Sequence, residues 1–190
     1  LSYPAPMIQA SSIHTNRFLN PTHVLGQVRF PPGIQAADFG AGTGDFALAL
    51  ADIIGSDGVI HAIDIQDAAL SSVRSRARMA GVRNIAAVRG NLEVAGASGL
   101  PDASQDAVLL TNILFQSQRK EAIVKEAARV LRVGGMLIFV DWNKDVPFGP
   151  DRGWRLDRFA ARSLIEHAGF LFESDIGAGA YHFGMTFTKT

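Results

Sequence analysis

The chain contains no cysteine among its 190 residues, which excludes disulfides, zinc–thiolate sites and cysteine nucleophiles. Lysine and arginine together number 18, the same as aspartate and glutamate, so no overall field attracts nucleic acid or anionic lipid. No apolar run approaches the roughly 20 residues of a membrane-spanning helix, and residues 1–10 lack the charged-then-apolar order of a signal peptide. We therefore expect one cytoplasmic α/β domain with a substantial core and no membrane partner.

The most informative segment is a glycine-rich turn between a predicted strand and a predicted helix. Residues 34–39 are short and mostly apolar, as a buried parallel strand should be, and residues 46–54 carry apolar side chains at helical spacing. Gly40, Gly42 and Gly44 lie between the two segments. A strand that turns through glycines into a helix presents bare backbone N–H groups and a positive helix end to a ligand. The turn therefore predicts a nucleotide-type binding site.

The spacing of the glycines decides between the known turns of this kind. The dinucleotide fingerprint needs glycine at its sixth position, where this chain has Asp45, and the phosphate-binding loop of nucleoside triphosphatases needs a lysine that is missing here. Asp38 lies two positions before the first glycine. This pattern resembles motif I of the class I S-adenosylmethionine-dependent methyltransferases. A Rossmann oxidoreductase is an alternative, and the missing sixth-position glycine argues against it.

Four further segments follow in the order found in that family. Residues 59–65 read as a second strand with Asp64 near its end, where a carboxylate can accept both ribose hydroxyls of an adenosine. Residues 84–92 read as a third strand with its exit loop. The family's usual aspartate there is replaced by Asn91, whose side-chain oxygen can still accept a hydrogen bond from the adenine amino group. The last two segments are a fourth strand and a helix–double-glycine–strand unit, at residues 106–112 and 126–140.

The resemblance covers about residues 20–190 and implies the class I methyltransferase fold. This is an α/β fold with a seven-stranded, mostly parallel sheet, an antiparallel last strand and helices on both faces. We expect residues 1–32 to form an N-terminal segment and helix that cover the cofactor site, and residues 33–190 to form the S-adenosylmethionine-binding domain. Asn20 and Pro21 predict the start of that helix. The candidates for the entrance to the site are Arg17, Phe18 and Leu19, and a helix that only packs on the edge of the sheet is the alternative.

The resemblance also implies S-adenosyl-L-methionine as the cofactor and assigns its binding residues. These are Asp38, Gly40, Ala41, Gly42, Gly44, Asp64, Ile65, Asn91, Leu92 and Asn112. Ligands of such sheets bind at the carboxyl ends of the strands, so we expect most of these residues to converge there. The catalytic candidates on the acceptor side are Asp141, as a base or as the holder of the acceptor, together with Asn112 and His182. For Asp141 and His182 a purely structural role is the alternative.

The implied reaction is in-line transfer of a methyl group to a nucleophile of the substrate. The cofactor supplies the reactive methyl, and the protein supplies position and exclusion of water. The overall pattern is similar to the small-molecule group that includes ubiquinone/menaquinone C-methyltransferases, and residues 141–155 are where acceptor specificity is expected. The balanced charge favours a small-molecule acceptor.

Two alternatives stay open: an RNA or protein methyltransferase, and an inactive S-adenosylmethionine-binding module. The basic cluster that an RNA could use contains Arg74, Arg76, Arg78, Arg83 and Arg89. On a helix Arg76 points away from the face that Arg74 and Arg78 share, which favours a solvated helix over an RNA footprint. No metal is expected. Metal-dependent catechol-type O-methyltransferases carry an Asp after the fourth strand and an Asp-Asn pair after the fifth strand. This chain has Thr111 and Asn112 at the first place, and at the second place Asp141 is followed by Trp142 and not by Asn.

Overall fold

The computed structural model describes residues 18–190. This part of the chain contains five α-helices and seven strands, and none of these helices has the length and apolarity needed to cross a membrane. In chain order the elements are α1 (Pro21–Leu25), β1 (Gln35–Phe39), α2 (Asp45–Ile54), β2 (Val59–Asp64), α3 (Asp67–Met79), β3 (Ile85–Arg89), β4 (Gln105–Thr111), α4 (Lys120–Val130), β5 (Leu131–Trp142), α5 (Arg158–Glu166), β6 (Phe170–Ile176) and β7 (His182–Lys189). A 3-10 turn at Leu114–Gln116 follows β4.

The seven strands form one sheet in the order β3-β2-β1-β4-β5-β7-β6. Strands β1 to β5 pair in parallel, and β7 runs antiparallel between β5 and β6. The direction of progression reverses between β1 and β4, which is the point where open α/β sheets bind their ligands. The predicted fold class is confirmed, including the antiparallel last strand.

The core lies on both faces of the sheet, because successive side chains of a strand point to opposite faces. In β4, Val108 and Leu110 join the cluster that contains α4 and α5. Ala107 and Leu109 of the same strand join the cluster that contains α1 and α2. The near-continuous apolar strands that the sequence showed are therefore explained by burial on two sides.

Helix α1 is only five residues long. Asn20 caps it by accepting a hydrogen bond from the amide of His23 at 3.1 Å, as expected, but the helix ends at Leu25 and Val28 lies beyond it. The side-chain amide of Gln27 then exchanges two hydrogen bonds with the backbone of Gly177, both at 2.8 Å. This pair ties the α1 segment to the loop between β6 and β7.

The double glycine lies inside β5 and does not precede it. Leu131 pairs with Gln105, and the next paired residue of β5 is Met136, opposite Ala107. The residues between leave the ladder where Gly134 adopts a φ of 75°, a conformation that glycine takes without strain. The predicted turn is thus an irregularity within one strand.

Candidate active site

The glycine turn after β1 is held against the end of β2. The amides of Gly40 and Ala41 both donate to the carbonyl of Ile63, at 2.8 and 3.0 Å. Gly40 has a φ of 76°, and a Cβ there would lie 2.6 Å from Cδ1 of Ile113. Gly44 has a φ of 89° and forms the left-handed N-cap of α2. Positive φ and close packing explain why side chains are excluded from these positions.

Asp64 ends β2 beside this turn and is 9% exposed. Its Oδ2 accepts a hydrogen bond from the amide of Gly42, and its Oδ1 accepts one from the amide of Gln66, both at 2.9 Å. A carboxylate has about four acceptor positions, so both oxygens retain capacity for a ligand. The backbone therefore fixes the orientation of the carboxylate without saturating it.

Two cavities meet at this carboxylate. The larger, about 1090 Å³, lies between the α1 segment, the glycine turn, α2 and the ends of β4, β5 and β7. The smaller, about 280 Å³, lies between the ends of β2 and β3 and the segment after β4. The residues common to both walls are Gly40, Asp64, Gln66 and Gln116. A ligand bound to Asp64 can thus extend into both spaces.

Most of the predicted cofactor residues line these cavities. Besides the shared Gly40 and Asp64, the larger cavity is lined by Ala41, Gly42 and Asn112, and the smaller one by Ile65, Asn91 and Leu92. The side-chain oxygen of Asn91 accepts a hydrogen bond from the amide of Glu93 at 3.1 Å, which orients this side chain. Asp38 and Gly44 line neither cavity.

Asp38 lies behind the turn and is fully buried. Burial raises the pKa of Asp38 to about 7; the backbone amide of Ala47 opposes the shift, and the carboxylates of Asp64 and Asp45 add to it. Because Asp38 is fully buried, it presents no surface toward a ligand.

Two of the three catalytic candidates lie on the wall of the larger cavity. His182 opens β7 opposite Trp142 of β5, with their ring centroids 4.1 Å apart. Neither ring nitrogen of His182 has a hydrogen-bond partner within residues 18–190, and the side-chain oxygen of Asn112 is likewise buried and unpaired there. Asn112 also has a φ of 52° directly after β4, a left-handed conformation that asparagine adopts more readily than most residues.

The third candidate, Asp141, lines neither cavity. It precedes Trp142 in β5, so the two side chains point to opposite faces of the sheet. Burial raises the pKa of Asp141 to about 6, against the effects of the amides of Trp142 and Phe115 and of the Lys120 ammonium. The position of Asp141 gives no support to contact with an acceptor in the larger cavity.

The loop after β5 folds around a buried arginine that the sequence analysis did not single out. The side chain of Arg155 is 7% exposed and points into its own loop. Its guanidinium donates hydrogen bonds of 2.8–3.3 Å to carbonyls of Asn143, Lys144, Val146, Phe148 and Pro150. Gly149 of this loop lies against Trp142, where a Cβ would come within 2.5 Å of the indole. The loop thus backs one of the aromatic walls of the larger cavity.

The α1 segment contributes the outer wall of the larger cavity through Phe18, Leu19, Pro21 and Thr22. Arg17, the other residue proposed for the entrance, lies outside the described residues. The sequence analysis missed Gln66 and Gln116, which stand on both cavity walls. Gln66 lies two positions after Asp64, and this short spacing could have predicted that it lies at the same site. Gln116 belongs to the 3-10 turn, for which no sequence pattern was recognised.

The arginine cluster does not form one surface. Arg76 pairs with Asp45 at 2.7 Å, and Arg89 pairs with Asp67 at 3.4 Å. The remaining three arginines line a separate shallow cavity of about 390 Å³; they are Arg74, Arg78 and Arg83. This division agrees with the interpretation of a solvated helix.

A pH titration tests the environment of His182. Burial lowers the pKa of His182 to about 4, so its ring stays neutral in the folded protein near neutral pH. The unfolded chain takes up this proton from about pH 6.5 downward, so the contribution of the neutral ring to stability falls as the pH drops from about 6.5 to about 4. We expect the His182 ring resonance in NMR to titrate near pH 4. We also expect the free energy of unfolding of the wild type to fall by up to about 3 kcal/mol more than that of His182→Phe between about pH 6.5 and pH 4. A ring that titrates near pH 6.5 would contradict this prediction.

The described strand order, with its antiparallel β7 and two cavities at the point where the order reverses, is that of a class I methyltransferase sheet. The family model for a methyltransferase domain matches residues 32–168, which is more than half of the chain. The chain therefore belongs to the methyltransferase-domain family, and the predicted family and fold are confirmed.

Individual relatives agree with this assignment. A ubiquinone/menaquinone biosynthesis C-methyltransferase, UbiE, from Shewanella sp. (strain W3-18-1) is 31% identical over 114 residues, which are 60% of this chain and 44% of that protein. A demethylmenaquinone methyltransferase from Geobacillus kaustophilus is 28% identical over 126 residues, 66% of this chain and 53% of that protein. The chain thus spans about half the length of these relatives. The crystal structure of a SAM-dependent methyltransferase from Aquifex aeolicus has the same fold, with a TM-score of 0.83, 21% identity and 92% coverage of both chains.

Proposed function

We propose that this protein binds S-adenosylmethionine at the glycine turn and Asp64 and transfers its methyl group to a small-molecule acceptor in the larger cavity. The observation that carries the proposal is the meeting of two cavities at one oriented, unsaturated carboxylate beside a turn without side chains. Membership of the methyltransferase-domain family and the similarity to two quinone-pathway methyltransferases support it.

The residues present fit the parts of this cofactor. Asp64 can accept hydrogen bonds from both ribose hydroxyls. The smaller cavity carries the apolar side chains of Ile65, Leu92, Ile113 and Ile123, which suit the faces of an adenine ring, with the polar side chain of Asn91 among them. Gly40 and Gly42 leave space on the larger cavity for the methionine part. The α1 segment would cover this part, as the predicted role of residues 1–32 requires.

The cofactor, when bound, supplies an activated methyl group on a sulfonium sulfur. In-line attack by a nucleophilic atom of the acceptor would form the bond to the methyl carbon and break its bond to sulfur, with S-adenosylhomocysteine as the leaving group. In this proposal the protein aligns the two molecules and excludes water. Trp142 and Phe115 provide aromatic wall on the acceptor side of the larger cavity.

We assign acceptor contact to His182 and Asn112. The neutral His182 ring and the unpaired oxygen of Asn112 can each accept a hydrogen bond from a hydroxyl or amino group of the acceptor. Both side chains line the cavity with these atoms buried, and a turn of either side chain toward the acceptor would recover the free energy that the unpaired atoms cost. Asp141 stays a candidate for support of this wall, since it does not reach the cavity.

Isothermal titration calorimetry tests the cofactor assignment. We expect micromolar binding of S-adenosylmethionine and S-adenosylhomocysteine and no binding of NAD, because the turn lacks the dinucleotide spacing. Failure of both adenosyl compounds to bind would contradict the proposal, and binding of NAD alone would favour an oxidoreductase.

Transfer is then measured with S-adenosylmethionine labelled in its methyl group. Reduced 1,4-naphthoquinone is a suitable first acceptor, because the similar proteins are named for ubiquinone and menaquinone biosynthesis. Label in the naphthalene product, lost in His182→Phe but with S-adenosylhomocysteine binding retained, would support the acceptor site. Label transferred equally well by His182→Phe would contradict the role of this ring.

A further inference from the structure

Arg76 of α3 reaches the glycine turn from a different element than Asp64 does. Its Nη1 lies 2.8 Å from the carbonyl oxygen of Thr43 and 3.3 Å from the Thr43 hydroxyl. The same nitrogen lies 2.7 Å from Oδ1 of Asp45, and the Thr43 hydroxyl donates to Oδ2 of Asp45 at 3.2 Å. One guanidinium nitrogen therefore joins the backbone of the turn to the first residue of α2.

A second side chain of α3 supports the same turn. Val73 lies three residues before Arg76, and residues at this spacing share one face of a helix. A Cβ added to Gly44 would lie 3.1 Å from Cγ2 of Val73. Helix α3 thus contacts the turn through one apolar and one charged side chain, and Arg74 and Arg78 of the same helix line a different cavity.

Two side chains, Asp64 and Arg76, therefore form polar contacts with the turn, and the two contacts differ in kind. Asp64 holds the amide of Gly42 at 2.9 Å, but the proposed function assigns the same carboxylate to the ribose. Arg76 uses the carbonyl of Thr43 and the carboxylate of Asp45, which the proposal assigns to no part of the cofactor. Resting on the proposed function, we infer that Arg76 is a positioning residue, which orders the glycine turn for the cofactor without contacting it.

The exposure of the Arg76–Asp45 ion pair indicates whether Arg76 affects cofactor affinity or the stability of the fold. The side chain of Arg76 is 42% exposed and that of Asp45 is 60% exposed. Exposed ion pairs contribute little to the stability of a fold. Ordering a binding loop in advance does raise affinity, because the entropy of ordering it is then not lost on binding. Removal of Arg76 therefore acts on cofactor affinity more than on global stability.

Calorimetry with S-adenosylhomocysteine on Arg76→Met and Arg74→Met tests this inference. Methionine keeps an unbranched stem and removes the guanidinium, and Arg74 makes no ion pair in the described part of the chain. We expect Kd to rise roughly 5- to 20-fold in Arg76→Met and to stay within about twofold of wild type in Arg74→Met. The melting temperatures of both variants should stay within about 2 °C of wild type. Arg76→Lys should recover part of the affinity, since its ammonium keeps the positive charge and can donate to the same oxygens, but from a more flexible side chain.

Amide hydrogen exchange separates positioning from a general structural role. In the free protein we expect faster exchange across residues 40–46 in Arg76→Met, with the rest of the sheet unchanged. A Kd within twofold of wild type in Arg76→Met would overturn the inference, as would a loss of protection spread evenly over the sheet. If wild-type protein bound no S-adenosylhomocysteine, the proposed function would fail, and the exchange of residues 40–46 would still decide the role of Arg76.

Discussion

Asp64→Ala is expected to weaken S-adenosylhomocysteine binding by roughly 1.5–3 kcal/mol, the usual range for hydrogen bonds to a charged group. This corresponds to an increase in Kd of about 10- to 150-fold. The carboxylate is held by the amides of Gly42 and Gln66, and its remaining acceptor positions lie where both cavities meet. Alanine removes these positions and also releases the two amides, so both direct contact and the order of the turn are lost.

The matched control for this variant is Asp57→Ala. Asp57 is exposed and precedes β2, so the same change in charge is made at the opposite end of the strand. We expect its Kd to equal that of wild type. Calorimetry gives the affinities, and a thermal melt of each variant shows whether the fold is retained. An unchanged affinity in a folded Asp64→Ala protein would remove Asp64 from the cofactor site.

Glu126→Gln is expected to lower the free energy of unfolding by about 1.5–3 kcal/mol, the usual range for hydrogen bonds to a buried charged group. Glu126 of α4 is 2% exposed. Its carboxylate accepts hydrogen bonds from the amides of Gly96 and Ser98, from the Ser98 hydroxyl at 2.6 Å and from the guanidinium of Arg129 at 2.8 Å. A glutamine presents an N–H₂ group to donors on one side, and this leaves buried groups unpaired.

Urea denaturation measures this loss, and Glu121→Gln on the exposed side of the same helix is the control. We expect the control to stay within about 0.5 kcal/mol of wild type. A loss below about 1 kcal/mol in Glu126→Gln would show that the network adds little to stability.

The same network predicts a dependence on pH with a defined sign. Burial alone would raise the pKa of Glu126, but hydrogen bonds from Arg129, Ser98 and the Gly96 amide outweigh it and hold this pKa at about 2. The folded pKa therefore lies below the ordinary value of 4.5. The stabilisation is complete above about pH 4.5 and is lost as the pH falls toward about 2. Between about pH 4.5 and pH 2, the free energy of unfolding of the wild type should therefore fall by up to about 3 kcal/mol more than that of Glu126→Gln.

Much of the proposed cofactor half of the site was predictable because its signals are local. A glycine at a positive φ, such as Gly40, marks a turn wherever it stands, and an acid such as Asp64 that ends an apolar strand marks the edge of a sheet. Parallel strands bring their carboxyl ends to one edge. The order of the segments was therefore enough to predict that Asp64, Asn91 and Asn112 lie near the turn.

The proposed acceptor half depended on facts that no short segment contains. Asp141 and Trp142 are neighbours in sequence, and the pleat of β5 places the tryptophan on the cavity and the aspartate on the opposite face. His182 meets Trp142 only because β7 pairs antiparallel to β5 in a specific register. Nothing in the sequence around Arg155 showed that its own loop would supply the carbonyls that surround it.

The sequence by itself determined the family, the order of the strands along the chain and the glycine turn with its acid, because these depend on spacing and on backbone conformation. Only the tertiary structure decided which side chains share a cavity, because that depends on strand register, on the face each residue takes and on contacts between distant segments. The ties between Arg76 and Thr43 and between Gln27 and Gly177 are of this second kind. The first joins residues 33 positions apart and the second joins residues 150 positions apart. A local sequence pattern does not predict contacts between residues so far apart in the chain.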